Sequence, residues 1–284
     1  MCRLFGLSAG EHRVRATCWL LKAPDSLRRQ SHANPDGTGL GTFDKHGLPL
    51  VEKAPLAAYE DRPFAREARE RESATFVAHV RHASTGARTV ANTHPFSFDG
   101  WIGAHNGVVE GLDLLEEHLG ADLAHVRGDT DSERVLALIA RESRARGHDL
   151  GRGLVAALTW VGEQLPLYAV NLILVTPHEL WAVRYPATHE LWMLQRPGGV
   201  AGPLEHRSRA GTRVRSEHLA ALPSVIVASE RMDDDPRWRL LQASTVTRVG
   251  VDLAVDTVAT LLSPRYLLGL AELAPAVAAS QHAS

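Results

Sequence analysis

The period of the apolar positions changes along this chain. Residues 3–9 (RLFGLSA) form a short apolar run suited to a first strand. Residues 13–22 space Val14, Ala16, Cys18, Leu20 and Leu21 in a way that fits a helix or a strand. Residues 31–41 (SHANPDGTGLG) gather Gly, Asn, Pro and Asp and read as a loop. Residues 74–81 (ATFVAHVR) alternate with period two, so Phe76, Ala78 and Val80 share one face and Val77, His79 and Arg81 the other. Residues 101–105 read as a strand ending in Asn106-Gly107, a turn signal. A helix is expected from near Thr130, where Thr130 and Glu133 have capping-box spacing and Val135, Leu136, Leu138 and Ile139 follow at helical intervals. A second helix is expected over 151–165. Short apolar runs at 168–176, 179–185, 190–194 and 224–229 predict sheet strands joined by tight turns. Residues 196–218, rich in Gly, Arg and His, read as a loop, and 271–284 as an Ala-rich, flexible tail. Strands, then helices, then strands predict an α+β fold of layered sheets and helices, one domain over 1–270.

Composition narrows the function classes. With 284 residues the chain can bury a core without staples. A net charge of −2 points to neither nucleic acid nor an anionic membrane as partner. No apolar run has the length of a membrane span, and the N-terminus lacks the basic-then-apolar layout of a signal peptide. Two cysteines, Cys2 and Cys18, make no disulfide framework, so free thiols in the cytoplasm are the expectation. The 15 histidines put a metal centre on the table.

Five places along the chain carry candidate chemistry. Cys2 becomes the first residue if Met1 is trimmed, which puts a thiol and an α-amine on one residue. An α-amine with a pKa of ~7.7–8.0 suits a base for a thiol of ~8.5, so one residue supplies nucleophile and base. Arg81 closes the strand 74–81 ahead of His82-Ala83-Ser84-Thr85-Gly86, where a planar guanidinium can take a carboxylate through two hydrogen bonds. Asn92-Thr93-His94-Pro95-Phe96 can supply a pocket wall through His94. In His105-Asn106-Gly107 a side-chain amide and the next backbone N–H can meet one developing oxyanion. In Gly128-Asp129-Thr130-Asp131-Ser132-Glu133, Asp131 falls in the first helical turn and can bind an ammonium. Each has a plainer reading: a cysteine that happens to be second, a surface arginine, a structural histidine, an Asn-Gly turn, an acid suited to the helix dipole.

Their order is more telling than any one of them. Cys at position 2, R-x-A-[ST]-x-G at 81–86, T-H-P at 93–95, H-N-G at 105–107 and T-D-[ST]-E at 130–133 resemble the class II glutamine amidotransferases. Downstream, Asn171–Leu174, Trp181–Arg184 and Val227–Glu230 with the acidic run to Trp238 resemble the stand-alone subfamily. The resemblance implies a four-layer αββα N-terminal-nucleophile hydrolase sandwich. It implies hydrolysis of the γ-amide of glutamine, or of a related γ-glutamyl compound, through a Cys2 thioester, with no cofactor. By position, Asn106 and Gly107 form the oxyanion hole, Arg81 holds the substrate α-carboxylate with Ser84 and Gly86 nearby, and Asp131 holds the α-ammonium. His94 lies at the substrate, and His79 and His105 support. The segment Asn34–Gly39 resembles a loop near the nucleophile but carries Thr38 where relatives often have an aromatic residue, and His82 stands where synthase-linked relatives often have Trp.

About 150 residues follow Glu133, with no P-loop and no dinucleotide fingerprint. The protein then either hands ammonia to a separate synthase or hydrolyses a γ-glutamyl amide for its own sake. The second course resembles the γ-glutamyl hydrolase of ergothioneine biosynthesis, which shares the S-E-x-x-D-D-D-x-x-W flavour of residues 229–238. Two rivals belong to other classes. A metallohydrolase would use His79, His82, His94 and His105, but His79 and His82 are three apart on a strand and face opposite sides. A non-catalytic glutamine-binding module would keep the pocket and lose the chemistry.

Overall fold

A computed structural model describes residues 2–83, 86–199, 204–207, 213–216 and 222–282. The strand β1 (Arg3–Ser8) is central in the first sheet. It pairs antiparallel with β4 (Thr75–Arg81) on one side and β12 (Ser224–Ala228) on the other. Outward from β4 follow β2 (Gly37–Phe43) and β3 (Pro49–Ala54), and outward from β12 follow β9 (Trp192–Arg196) and β13 (Arg239–Leu240). The second sheet runs from β15 (Val255–Thr260) through β14 (Thr245–Val249), β8 (Leu180–Arg184), β7 (Pro166–Val175) and β6 (Trp101–Val109) to β5 (Phe96–Phe98). A short β16 (Tyr266–Leu267) lies parallel to β7, and β10 (Leu204–Arg207) pairs with β11 (Arg213–Ser216) as a separate ribbon.

Period-two alternation sorts the side chains into layers. Leu4, Val77, Ile102, Ala104, Ile173 and Val227 meet between the sheets. Phe5, Leu7, Phe76, Ala78 and Val80 pack outward against Trp19, Leu20, Leu27 and Phe64, which come from the turn Cys18–Lys22, α1 (Leu27–Gln30) and α2 (Arg62–Glu70). On the other outer face Leu172, Leu174 and Val183 pack against α4 (Asp131–Arg144) and α5 (Leu150–Gln164). The result is the expected αββα sandwich. The buried Leu and Val side chains of these layers contribute about 1.5–3 kcal/mol each relative to exposure.

Several local expectations need correction. Residues 37–41 are strand, not loop, because their glycines serve sheet packing. A Cβ on Gly39 would lie 2.1 Å from the His94 carbonyl oxygen, and one on Gly41 would lie 2.7 Å from Ile102 Cγ2. Asn106-Gly107 does not turn: β6 runs on to Val109, with Asn106 opposite Asn171 and Gly107 opposite Val170. A Cβ at Gly107 would sit 1.8 Å from the Ala169 carbonyl oxygen, so this glycine permits close strand approach. The 196–218 segment holds the β10–β11 ribbon. At α4 the Thr130 hydroxyl accepts the Glu133 N–H at 3.3 Å as capping predicts, but the Glu133 carboxylate accepts from the Gly128 N–H at 2.7 Å instead of closing the box. The segment 13–22 bridges to Ser73 through Val14 and then makes one wide helical turn, with Ala23 N–H on the Cys18 carbonyl at 2.6 Å. Elements without a clear sequence signal include α2, α3 (Leu112–Leu119), β14 and β15. At the C-terminal end, Pro275–His282 form a further helix, α6.

Gly39→Ala is expected to lower the free energy of unfolding by about 1–3 kcal/mol, the usual cost of forcing an atom into a packed layer. Urea denaturation reads this directly, and an unchanged midpoint would refute the close approach of the sheets.

Candidate active site

The register of β1 against β4 builds the site. Arg3 pairs with Val80, which sets Cys2 beside Arg81 and His82 at the end of β4. The His82 N–H donates to Cys2 Sγ at 3.2 Å, and the thiol lies 3.4 Å from the His82 carbonyl. Across the gap between sheets, Asn106 Nδ2 donates to the Cys2 carbonyl at 2.9 Å. Burial pushes the Cys2 thiol pKa up, while the His82 hydrogen bond and the charges of Arg81 and Arg3 act in the other direction. Cys2 and Cys18 are both free thiols.

One cavity of about 40 Å³ gathers Cys2, Arg81, His94, His105, Asn106, Gly107 and Asp131, with Thr130, Ser132, His82 and Gln281 completing its walls. Of the residues read from the sequence, seven therefore meet in one place. Arg81 is buried, and its guanidinium donates to the Ala87 carbonyl at 3.1 Å and the Gly86 carbonyl at 3.4 Å. Gly86 has φ of +72°, a left-handed conformation that suits glycine at this turn. Ser84 lies outside the described residues. The Asp131 carboxylate accepts the Val109 N–H at 2.9 Å and the Ser132 N–H at 2.8 Å. Ser132 Oγ is 2.9 Å from His105 Nδ1, so helix α4 and strand β6 are joined through the acid, the hydroxyl and the imidazole.

His79 is not in the cavity wall. It stands behind His94, the two rings 4.2 Å apart between centroids and tilted by 35°. Their ring nitrogens have no hydrogen-bond partner among the described residues. Burial drives the His79 pKa down to about 3, with Arg81 and His105 adding to the effect. Burial also holds His94 well below the usual histidine range, and His79, His105, Lys53 and Arg81 push the same way. Both rings are neutral at neutral pH. For His105, burial lowers the pKa while Asp131 and the Ala169 backbone oppose the shift. His82 lies past the end of β4, its Nδ1 3.1 Å from the Ala33 carbonyl. Among the described residues no three His, Cys, Asp or Glu side chains converge as metal ligands.

Sequence reasoning passed over several residues that shape the site. Asp36 accepts the Ala83 N–H at 2.8 Å and pairs with Arg88 at 2.7 Å, bracing both flanks of the loop after Arg81. Asn92 Nδ2 donates to the Ala87 carbonyl at 3.1 Å, and Asn92 Oδ1 accepts the Asp129 N–H at 2.7 Å. Both lie inside motifs quoted above, Asn34–Gly39 and Asn92–Phe96, so position within a motif was the available signal. His189 and Gln281 had none. Their side chains are 2.9 Å apart, more than ninety residues apart in sequence.

Two facing antiparallel sheets between helical layers, with a cysteine at the mouth of the central strand, define an N-terminal-nucleophile hydrolase fold. Solved structures agree: a glutamine aminotransferase class-II domain protein from Silicibacter pomeroyi aligns with a TM-score of 0.58 at 18% identity, over 91% of this chain and 100% of that one. The glutamine phosphoribosylpyrophosphate amidotransferase of B. subtilis aligns with a TM-score of 0.63 at 17% identity, over 90% of this chain and 49% of that one. Residues 1–261 match the family described as "Glutamine amidotransferases class-II". The chain belongs to that family of enzymes. Among characterised relatives, gamma-glutamyl-hercynylcysteine sulfoxide hydrolase of Mycobacterium tuberculosis is 29% identical over 84% of this chain and 88% of its own length. The protein of that name from Mycolicibacterium smegmatis is 28% identical over 74% of this chain and 77% of its own. Glutamine–fructose-6-phosphate aminotransferase of Agrobacterium fabrum is 30% identical, over 42% of this chain and 19% of its own length.

The buried histidines give the fold a pH dependence of known sign. An unfolded histidine titrates near ~6.5, and folded His79 only near about 3. Between those values the unfolded chain binds a proton that the folded protein refuses. Stability is therefore complete above the unfolded pKa and falls as pH drops below it, by up to about 1.4 kcal/mol per pH unit for each such group. His79→Gln should remove one group's share of that slope between pH 6 and 4 in urea titrations. An unchanged slope would show that the folded ring takes up its proton after all.

Proposed function

We propose that this enzyme hydrolyses γ-glutamyl amides through a thioester on Cys2, and that its natural donor is a γ-glutamyl compound of a thiol pathway of the ergothioneine type. The reading is carried by one observation: a thiol, a fixed cation and a fixed carboxylate surround a single cavity. A free amino-acid head carries one charge of each sign, so Arg81 takes the α-carboxylate and Asp131 the α-ammonium, leaving the γ-amide over Cys2. The choice of donor is supported by the mycobacterial hydrolases, which match along most of their own length, whereas the sugar aminotransferase matches over a fifth of its length.

Removal of Met1 supplies the base. Burial raises the Cys2 thiol pKa, so little thiolate stands ready and a proton acceptor is needed at the moment of attack. The freed α-amine takes the thiol proton as Sγ bonds to the γ-carbonyl carbon. The developing oxyanion is met by Asn106 Nδ2 and the Gly107 N–H. An amide nitrogen carries two N–H donors, and the hydrogen bond to the Cys2 carbonyl uses one of them, which fixes Asn106 and leaves the other for the oxyanion. The C–N bond then breaks, the amine leaves with the proton held on the α-amine, and a thioester remains. Water adds to the thioester with the α-amine as base, the C–S bond breaks, and glutamate departs with the thiol restored.

A second reading keeps the same chemistry with glutamine as donor and a separate ammonia-accepting synthase as partner. It rests on the class II aminotransferases among the relatives. No described helix is long and apolar enough to cross a membrane.

Intact-mass measurement after treatment with 6-diazo-5-oxo-norleucine should show loss of Met1 and one adduct on Cys2, and Cys2→Ala should abolish both labelling and hydrolysis. Turnover persisting in Cys2→Ala would exclude this chemistry. Asn106→Ala is expected to lower kcat by about 10²–10³-fold, as for other oxyanion donors, with KM for glutamine or a γ-glutamyl amide little changed. Equal losses in kcat and binding would assign Asn106 to structure instead.

A further inference from the structure

We propose that the C-terminal helix α6 is a wall of the donor pocket, that its Val277 and Gln281 determine which leaving group is accepted, and that the preferred donors are γ-glutamyl amides of substituted amines. The helix lies beyond residues 1–261, the part of the chain that the family match covers. The inference rests on the γ-glutamyl reading above for the chemistry of the donor, but the wall itself can be tested without it.

Val277 and Gln281 are four residues apart and so share one face of the helix. Gln281 borders the 40 Å³ cavity that holds Cys2, Arg81 and Asn106. Val277 borders a second hollow of about 290 Å³, with Val108, Glu110, Leu112 and Asp129 on its other sides. The two hollows have Gly107 and Asp131 in common. One helix face thus closes two adjoining compartments that meet at the oxyanion glycine.

The helix is held in that place by packing and by a polar tie. Val277 is buried against Val108 and Leu273, with Tyr168, Leu268 and Leu270 around them. Gln281 Oε1 is 2.9 Å from His189 Nε2, and Gln281 Nε2 donates to Ser280 Oγ at 2.9 Å. His189 is itself buried, its ring set edge-on to Tyr168 at 5.2 Å. Fixed in this way, the Gln281 carboxamide is a built part of the cavity rim.

Size decides what the compartments can take. At about 40 Å³ against about 290 Å³, the compartment at Cys2 is the tighter of the two and leaves no room beside the glutamyl head for a bulky amine half. The larger hollow, with Val108, Leu112 and Val277 around it, has room for an amine half far bigger than ammonia. Glutamine leaves that hollow empty. A γ-glutamyl amide with a substituted nitrogen fills it and gains apolar contact that glutamine forgoes, a difference of about 10–200-fold per well-placed group.

The test uses the full chain. kcat/KM is measured for glutamine and for a series of γ-glutamyl alkylamides and anilides in wild type, Val277→Phe and Gln281→Ala. The alkylation of Cys2 by iodoacetamide and by a bulky N-substituted maleimide is followed alongside by peptide mass, with buried Cys18 as internal control. Wild type should prefer the larger amides to glutamine, and Val277→Phe should reduce that preference by about tenfold or more. Gln281→Ala, a change at a half-exposed position, should raise the rate with the bulky maleimide relative to iodoacetamide. Preference for glutamine in wild type, or a preference unmoved by Val277→Phe in folded protein, would overturn the assignment of the leaving group. If no γ-glutamyl amide is turned over, the donor reading has failed and the alkylation ratio alone decides the wall: a rise in Gln281→Ala upholds it and an unchanged ratio overturns it.

Discussion

The hydrogen bond from the Asn106 amide to the Cys2 carbonyl spans the two sheets, and the site depends on it. Cys2 precedes the central strand of one sheet, and Asn106 lies in β6 of the other. For a carboxamide to reach across, the sheets must come closer than side chains of ordinary size allow. Gly39 and Gly41 make that possible on one side, since a Cβ at either would collide with His94 or Ile102. Gly107 makes a different close approach possible within the second sheet, against the Ala169 carbonyl. The glycines that look like loop residues in the sequence therefore permit the close packing around Cys2 and Asn106.

Charge is placed around this bond by secondary structure. Arg81 ends β4, and its guanidinium is braced by the carbonyls of the turn that follows. Asp131 begins α4 and is braced by the backbone of Val109 and Ser132. Each charge sits at one end of an element, so its direction is held by backbone hydrogen bonds. Of the two stacked histidines, His94 lines the cavity and His79 stands behind it, and burial keeps both neutral, so the imidazoles of this pair add no charge beside Arg81 and Asp131.

The identity of the family was legible in five short motifs because their chemistry is local: a cysteine at position 2, an arginine at a strand end, a histidine before a proline, an amide before a glycine, an acid in a first helical turn. The alternation of β4 and the capping of α4 were legible for the same reason, as both express periodicity within one element. Residues 37–41 and Asn106-Gly107 depart from their expected loop and turn because glycine serves turns and tight packing equally, and only the neighbouring sheet distinguishes the two uses.

By itself the sequence determined the enzyme family and the layered α+β architecture, since these follow from residue type and near-neighbour spacing. The tertiary structure decided what faces what. It set His79 behind His94 instead of in the cavity, brought Asp36 and Asn92 to brace the loop after Arg81, and laid the alanine-rich end of the chain at the rim of the Cys2 cavity, where Gln281 meets His189. Such contacts join residues far apart in the chain, and their pairing depends on how whole sheets and helices stack, which no local pattern encodes.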